Sequence, residues 1–313
     1  MIHKFFTFVT ISFFLLGVVA CTATPAATPA ATPLPAPTSI SKTIVLGGVS
    51  EDSATITKAY QPLADYLAAH LSQYGVTAGA VKIAPDQPTM VTMLTNGTVD
   101  VYFDSPYGAM IANDKADAQI ILRRWKGGVD QYKSLIMVRK DSGIKSLADL
   151  KGHVVAFDAP FSTTSFMLPL AYMIQGGLQP VKVTSADSVV PQDKVGYVFA
   201  QGQSNVTDWL ASGKVAAGAF SDQDLKDVPA NVMDEIVPLV ETENLPRYLT
   251  LVRPGMEQAE VNDIKGLLLG IDQTPEGPAI LKTFEKTAKF DELPNKDAML
   301  ARLRQLYQAV KDY

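Results

Sequence analysis

From residue 43 onward, short apolar runs alternate with stretches in which apolar residues recur every three or four positions. Ile44-Val45-Leu46 is a run of the first kind and predicts a strand, followed by Gly47-Gly48. Ile56, Tyr60, Leu63, Leu67 and Leu71 then recur at helical spacing, with Pro62 predicting a kink or a late start. A weaker strand is predicted at Val81–Ile83, a short helix at Thr89–Leu94 closed by Asn96-Gly97, and a strand at Val99–Phe103. The pattern continues with a helix over Gly108–Ala116 and strands over Ile120–Leu122 and Lys133–Arg139. Ser146 is placed to cap a helix at Leu147–Leu150. A second series starts with a strand at Val154–Phe157 and runs through Met167–Ile174, Val206–Leu210 and Ala216–Phe220. Met299, Leu300, Leu303, Leu306, Tyr307 and Val310 give one face of a final amphipathic helix. Strands alternating with helices predict an α/β protein with a largely parallel sheet covered on both faces.

The first forty residues follow no such pattern. Lys4 precedes an uncharged apolar stretch, Phe5–Ala20, of 16 residues. As a helix this spans about 24 Å, short of the roughly 30 Å hydrocarbon core, so it predicts a cleaved export signal rather than a membrane span. It ends in Val18-Val19-Ala20-Cys21, which resembles a bacterial lipobox with Cys21 as the lipidated residue. Thr22–Ser39 is built of Ala, Thr and Pro, with Pro25, Pro29, Pro33, Pro35 and Pro37. With Leu34 its one large apolar side chain, too little to drive packing, it predicts a solvated, polyproline-like tether. The expected organisation is a lipoprotein signal peptide over 1–20 and lipidated Cys21 with its tether over 21–42. A folded body would then hang outside a bacterial membrane, in the periplasm or on the cell surface.

Composition narrows the chemistry. The 313 residues are 47% hydrophobic and 19% charged, which excludes disorder of the whole chain, and the net charge of −5 argues against nucleic-acid binding. Cys21 is the one cysteine, so neither an internal disulfide nor a cysteine zinc site is available. Histidine occurs only at His3, His70 and His153, and no GxSxG, HExxH or GxxxxGK[ST] pattern is present. An enzyme, a metal site and a cofactor are not expected.

Three blocks are more specific. Tyr60-Gln61-Pro62-Leu63-Ala64-Asp65-Tyr66-Leu67, the stretch from Val138 to Gly152 containing Lys145-Ser146-Leu147-Ala148-Asp149-Leu150-Lys151-Gly152, and Ser162-Thr163-Thr164 occur in that order. Together they resemble the phosphate/phosphite/phosphonate-binding proteins of ABC importers. The resemblance implies a two-lobed type II periplasmic-binding fold with a ligand cleft between lobes. It would place lobe one at 43–138 and 246–313 and lobe two at 139–245, with crossings near Met137–Lys140 and Glu243–Arg247. It also implies delivery of a small anionic or zwitterionic ligand to a membrane permease with a cytoplasmic ATPase, by a monomer. Alternatives are another small polar metabolite in the same fold, or a ligand sensor for a membrane kinase.

Ser162, Thr163 and Thr164 precede an apolar helical run and should sit at a helix start, where unpaired amides and the helix dipole favour an oxyanion. One of them is equally placed to act as a simple cap. Asp104, Ser105 and Tyr107 follow a strand at a sheet's C-terminal edge, where open α/β sheets bind ligands, although Asp104 or Ser105 also suits a helix cap. Tyr60 fits both a ligand position and the buried stripe of its helix. Trp125 and Tyr132 flank the first crossing and are candidate cleft walls. Against the family pattern, Asp104 stands where a tyrosine is common, Gln203 where a histidine is, and Tyr248 where an acid is; Asp222 falls near a recurrent acidic position. Arg247 is placed to pair with ligand or aspartate, or to remain solvated. A carboxylate at Asp104 facing a dianion predicts a protonated, monoanionic or ammonium-bearing ligand.

Overall fold

The computed structural model describes residues 41–313. The expected signal peptide, Cys21 and nearly all of the tether lie outside them. The folded body begins with β1 (Lys42–Val49), whose centre is buried on both faces. Helix α1 (Ser53–His70) is capped by the Asp52 carboxylate, which accepts the Thr55 amide at 3.1 Å, and Pro62 lies inside the helix rather than at a late start. β2 (Val76–Ala84) packs so closely on α1 that a side chain at Gly79 would meet the Ala64 backbone at 2.3 Å. Next come α2 (Gln87–Thr95), β3 (Val101–Asp104), α3 (Pro106–Ala116) and β4 (Gln119–Arg124). A short β5 (Gln131–Tyr132) leads to β6 (Ser134–Arg139) and β7 (Val154–Phe157).

A π-helical turn over Thr163–Met167 then runs into α4 (Leu168–Gln175). β8 (Pro180–Lys182), β9 (Val195–Phe199), α5 (Gln203–Ala211) and β10 (Ala217–Ser221) follow. A single turn, α6 (Ala230–Met233), and β11 (Ile236–Glu241) precede β12 (Leu245–Pro246) and β13 (Tyr248–Val252). The chain continues with α7 (Gln258–Gly270), α8 (Gly277–Thr283), β14 (Phe290–Asp291) and α9 (Lys296–Val310).

These strands form two six-stranded sheets, ordered β14-β4-β13-β3-β1-β2 and β11-β6-β10-β7-β9-β8. Between them β5 and β12 pair antiparallel, with Tyr132 opposite Leu245 and Gln131 opposite Pro246. The fold is therefore two α/β lobes joined by a pair of crossing strands. The second crossing falls where the sequence places it. The first does not: Met137 and Val138 lie inside the second sheet, and the crossing is at Gln131–Tyr132. The boundary at 138/139 consequently moves back to the segment before Ser134.

Each sheet is mixed rather than largely parallel. β1, β2 and β3 run parallel, as do β7, β8, β9 and β10. β6 and β13 are antiparallel to their neighbours. The reason is topological: each leaves a crossing and enters its sheet from the edge where the parallel strands end.

Helix α9 also departs from expectation. It was placed in lobe one, yet its apolar face (Leu303, Leu306, Tyr307, Val310) joins a buried cluster containing Met90, Tyr107 and Met110 of one lobe and Phe166, Leu168 and Tyr197 of the other. The Tyr307 hydroxyl donates to Asp114 at 3.0 Å, and Arg302 holds Glu243 beside the second crossing.

Lobe one buries an arginine completely. Arg124 donates to the Thr287 hydroxyl, the Phe284 carbonyl and the Glu285 carboxylate at 2.9, 3.0 and 3.0 Å, and its guanidinium lies 3.7 Å from the centre of the Phe284 ring. Burial by itself would raise the Glu285 carboxyl, but Arg124 and Lys126 outweigh it and hold it at about 2. Because that value lies below the 4.5 of an unperturbed glutamate, the stabilisation is complete above pH 4.5 and fades as pH falls toward 2. The shift corresponds to about 3 kcal/mol. Glu285→Gln should therefore flatten the loss of urea stability through this window; an unchanged acid slope would show that the pair is not formed in solution.

Candidate functional site

The loop after β7 ends at Ser162, whose hydroxyl accepts the Ser165 amide at 3.0 Å and so caps the helical run Thr163–Gln175. Its first turn is widened: Met167 N donates to Ser162 O, five residues back, and Leu168 N to Thr163 O. Such π turns cost hydrogen-bond geometry and occur frequently at functional positions. Thr163, Thr164 and Ser165 are all buried. Among the described residues, the main-chain amides of Thr163 and Thr164 find no acceptor. They are two converging donors at the positive end of a helix.

A second helix start faces them. Ser105 and Pro106 open α3, and the Tyr107 amide donates across to the Thr163 hydroxyl at 2.9 Å. Tyr107 thus spans the cleft through its main chain, not through its phenol. Its ring is buried against Phe166 and Tyr307, and burial pushes the hydroxyl up to about 12. Ser105 is half-exposed at the mouth, with no capping bond from its side chain.

Asp104 does not confront this space as a bare carboxylate. One oxygen accepts the Ser105 amide at 2.6 Å, and the other accepts Gln87 Nε2 at 2.6 Å and the Tyr102 hydroxyl. Burial raises its pKa, and these donors counteract that rise. Gly108 is required here, since a side chain would lie 2.1 Å from Asp104 Oδ2. The expected conflict between Asp104 and a dianion is thereby resolved within lobe one: the carboxylate is a bonded support for the start of α3.

Tyr132, on β5, lies between the lobes, and burial raises its hydroxyl. The Arg247 guanidinium stacks 4.5 Å from the Tyr132 ring centre and 5.5 Å from that of Tyr248. The Tyr248 hydroxyl accepts Lys126 Nζ at 3.1 Å. Tyr60 lies deeper, donating to Glu285 at 3.2 Å and accepting Arg124 at 3.4 Å, with its ring against Phe103 and Phe284. Of its two readings the structure gives the buried stripe. The Trp125 ring is flanked by Arg123 at 5.4 Å and Lys289 at 4.4 Å, and its buried Nε1 has no partner among the described residues.

On lobe two, Gln203 opens α5, and its buried Nε2 has no partner among the described residues. Asp222, at the end of β10, accepts the Lys133 amide and Gln223 Nε2, both at 3.1 Å, tying the sheet to the first crossing. Asp158 and Asp224 lie nearby; burial raises both. The Gly202 amide and the Arg247 charge, respectively, offset part of those rises. Sequence reasoning missed Arg124, Lys126, Gln87, Asp224 and Glu285. Paired arginines closing an otherwise apolar strand, Ile120–Arg124, were the signal available for the first.

Thr163 and Thr164, Ser105, Tyr107 and Tyr132 are thus gathered at the junction of the lobes, while Tyr60 is not. The arrangement can hold a small group of oxygens by amides and a guanidinium. It contains no paired base and nucleophile: His70 bonds the Tyr66 carbonyl at 2.8 Å, and His153 lies on the surface of lobe two.

Comparison with known proteins agrees with this geometry. Residues 49–298 match the family described as ABC transporter, phosphonate, periplasmic substrate-binding protein. The phosphate-import protein PhnD of Mycolicibacterium smegmatis is 28% identical over 186 residues, which cover 58% of this chain and 56% of that protein. The chain thus spans little more than half the length of this curated relative. A Xanthomonas citri protein solved with chloride is 29% identical with a TM-score of 0.81, over 86% of this chain and 99% of that one. The same protein solved with ATP gives 28% and 0.81, over 87% and 99%. PhnD1 of Prochlorococcus marinus, in complex with methylphosphonate, shares the fold at 17% identity and a TM-score of 0.60, over 87% of this chain and 99% of that chain.

Thr163→Val keeps the shape of the side chain but removes the acceptor of the Tyr107 amide. It should destabilise the ligand-free chain by about 1–3 kcal/mol, the cost of a buried orphaned donor, in urea unfolding. A change below about 0.5 kcal/mol, the level of an ordinary surface substitution, would mean that the lobes do not meet through this bond.

Proposed function

The chain belongs to the periplasmic substrate-binding proteins of phosphonate ABC transporters, and from that premise we propose that it captures a small phosphorus oxyanion between its lobes and delivers it to a membrane permease. The observation that carries the reading is the pair of buried amides, Thr163 and Thr164, with no acceptor among the described residues. A carboxylate or phosphonate oxygen placed there receives two charge-assisted hydrogen bonds, each worth about 1.5–3 kcal/mol. Closure of the lobes excludes water and strengthens both. The family's role is capture rather than turnover, and the donors of the junction suit that reading.

Asp158, Asp222 and Asp224 on the lobe-two edge favour one refinement, a ligand whose substituent carries an ammonium group. A cluster of carboxylates at this edge would attract such a cation. Attachment of the protein to the membrane through lipid on Cys21, after cleavage of residues 1–20, completes the proposal. No helix among the described residues is long and apolar enough to cross a membrane.

Thermal denaturation of the full chain with phosphate, phosphite, methylphosphonate, 2-aminoethylphosphonate or sulfate tests the ligand class. At 100 times its dissociation constant, the true ligand stabilises by about 2.7 kcal/mol and should raise the melting temperature by a few degrees. The absence of any shift across the phosphorus oxyanions would remove the phosphonate reading. For the anchor, Cys21→Ser should move the protein from the membrane fraction to the soluble fraction; retention in the membrane would disprove lipidation at that residue.

A further inference from the structure

Arginines in this protein are, with one informative exception, spoken for. Arg123, Arg124, Arg139, Arg253 and Arg302 each hold a carboxylate, and Arg304 stands exposed on α9. Arg247 is half-buried, yet among the described residues its guanidinium makes no ion pair and no hydrogen bond. The nearby Asp130 carboxylate is engaged by Arg123. None of its guanidinium nitrogens is among the buried unpartnered atoms, so the fork stays open to water or to a ligand, with its donors uncommitted.

Its position is fixed by the crossing strands. The Arg247 amide donates to the Asp130 carbonyl at 2.8 Å, directly after Pro246 pairs with Gln131 and Leu245 with Tyr132. The side chain then lies across the faces of Tyr132 and Tyr248, at 4.5 and 5.5 Å. Stacking on two rings restricts the guanidinium before any ligand arrives, so little rotational freedom remains to be lost on binding. Tyr132 carries Arg247 on its ring and lies on the crossing strand, opposite Leu245.

We propose that Arg247 is a specificity-determining clamp for the ligand, its planar fork donating to two oxygens of a tetrahedral oxyanion while the Thr163 and Thr164 amides hold the third. The inference rests on the reading of this junction as an oxyanion site and extends it to charge and shape. A fork of parallel N–H groups matches two oxygens on one centre, so the preferred ligand is a doubly charged phosphonate rather than a monatomic anion such as chloride. Because Arg247 emerges from a crossing strand, the same contact binds the ligand to the hinge as well as to lobe two.

The test is calorimetric titration of the full chain with methylphosphonate, using wild type, Arg247→Gln and Arg247→Lys. Arg247→Gln should weaken binding about 10- to 100-fold, the equivalent of one charged hydrogen-bonding partner. Arg247→Lys keeps the charge without the fork and should fall between the two. The weakening should shrink as salt is raised, which loss of packing alone would not produce. Wild-type affinity in Arg247→Gln overturns the clamp while leaving the oxyanion site standing. Equal losses in the Gln and Lys variants with no salt dependence also overturn it, assigning Arg247 to packing. Failure of wild type itself to bind methylphosphonate or any other phosphorus oxyanion would remove the oxyanion site, and the clamp with it. Circular dichroism melting of each ligand-free variant separates these outcomes from unfolding.

Discussion

A helix cannot satisfy its own first amides, and the architecture turns on how that constraint is met where the lobes join. Two helix starts face each other there. One amide of α3, that of Tyr107, is satisfied by the Thr163 hydroxyl of the opposite lobe, while those of Thr163 and Thr164 remain available. The lobes are thus held together by the element that offers the binding surface. A π turn makes this possible by widening the helix where three consecutive hydroxyl residues are buried.

Charge is distributed to suit. Carboxylates that would repel an anion are consumed by neighbours: Asp104 by Gln87, Tyr102 and the Ser105 amide, Glu285 by Arg124 and Lys126. These two networks have different characters. Asp104 is raised by burial and answered mainly by neutral donors, whereas Glu285 is held low by two full positive charges. The first shapes the start of α3, and the second fixes the wall that carries Tyr60 and Tyr248.

Much of the fold was legible because buried strands and amphipathic helices write their period into the chain. Ile44–Leu46, Ile120–Leu122 and the stripe of α9 are examples. The first crossing was misplaced because Lys133–Arg139 is an apolar strand that enters a sheet immediately, leaving only the two-residue β5 as the bridge. Gln131-Tyr132 has no periodicity from which a crossing can be read. At the site, the Ser162–Thr164 helix start was legible from the hydroxyl run before an apolar stretch. The orientation of Asp104 was not, since its partners Gln87 and Tyr102 are chosen by tertiary packing rather than by spacing. Tyr107 shows the same limit: it meets the opposite lobe through its main-chain amide, which no side-chain pattern announces.

The bridging role of α9 has a consequence for how the molecule is built. Lobe one is interrupted in the chain by lobe two, and α9, which follows both in sequence, fills hydrophobic space in each. The apolar cluster that the lobes share therefore has one wall that only the last helix supplies. A chain whose two lobes share their last helix thus ties completion of one core to completion of the other.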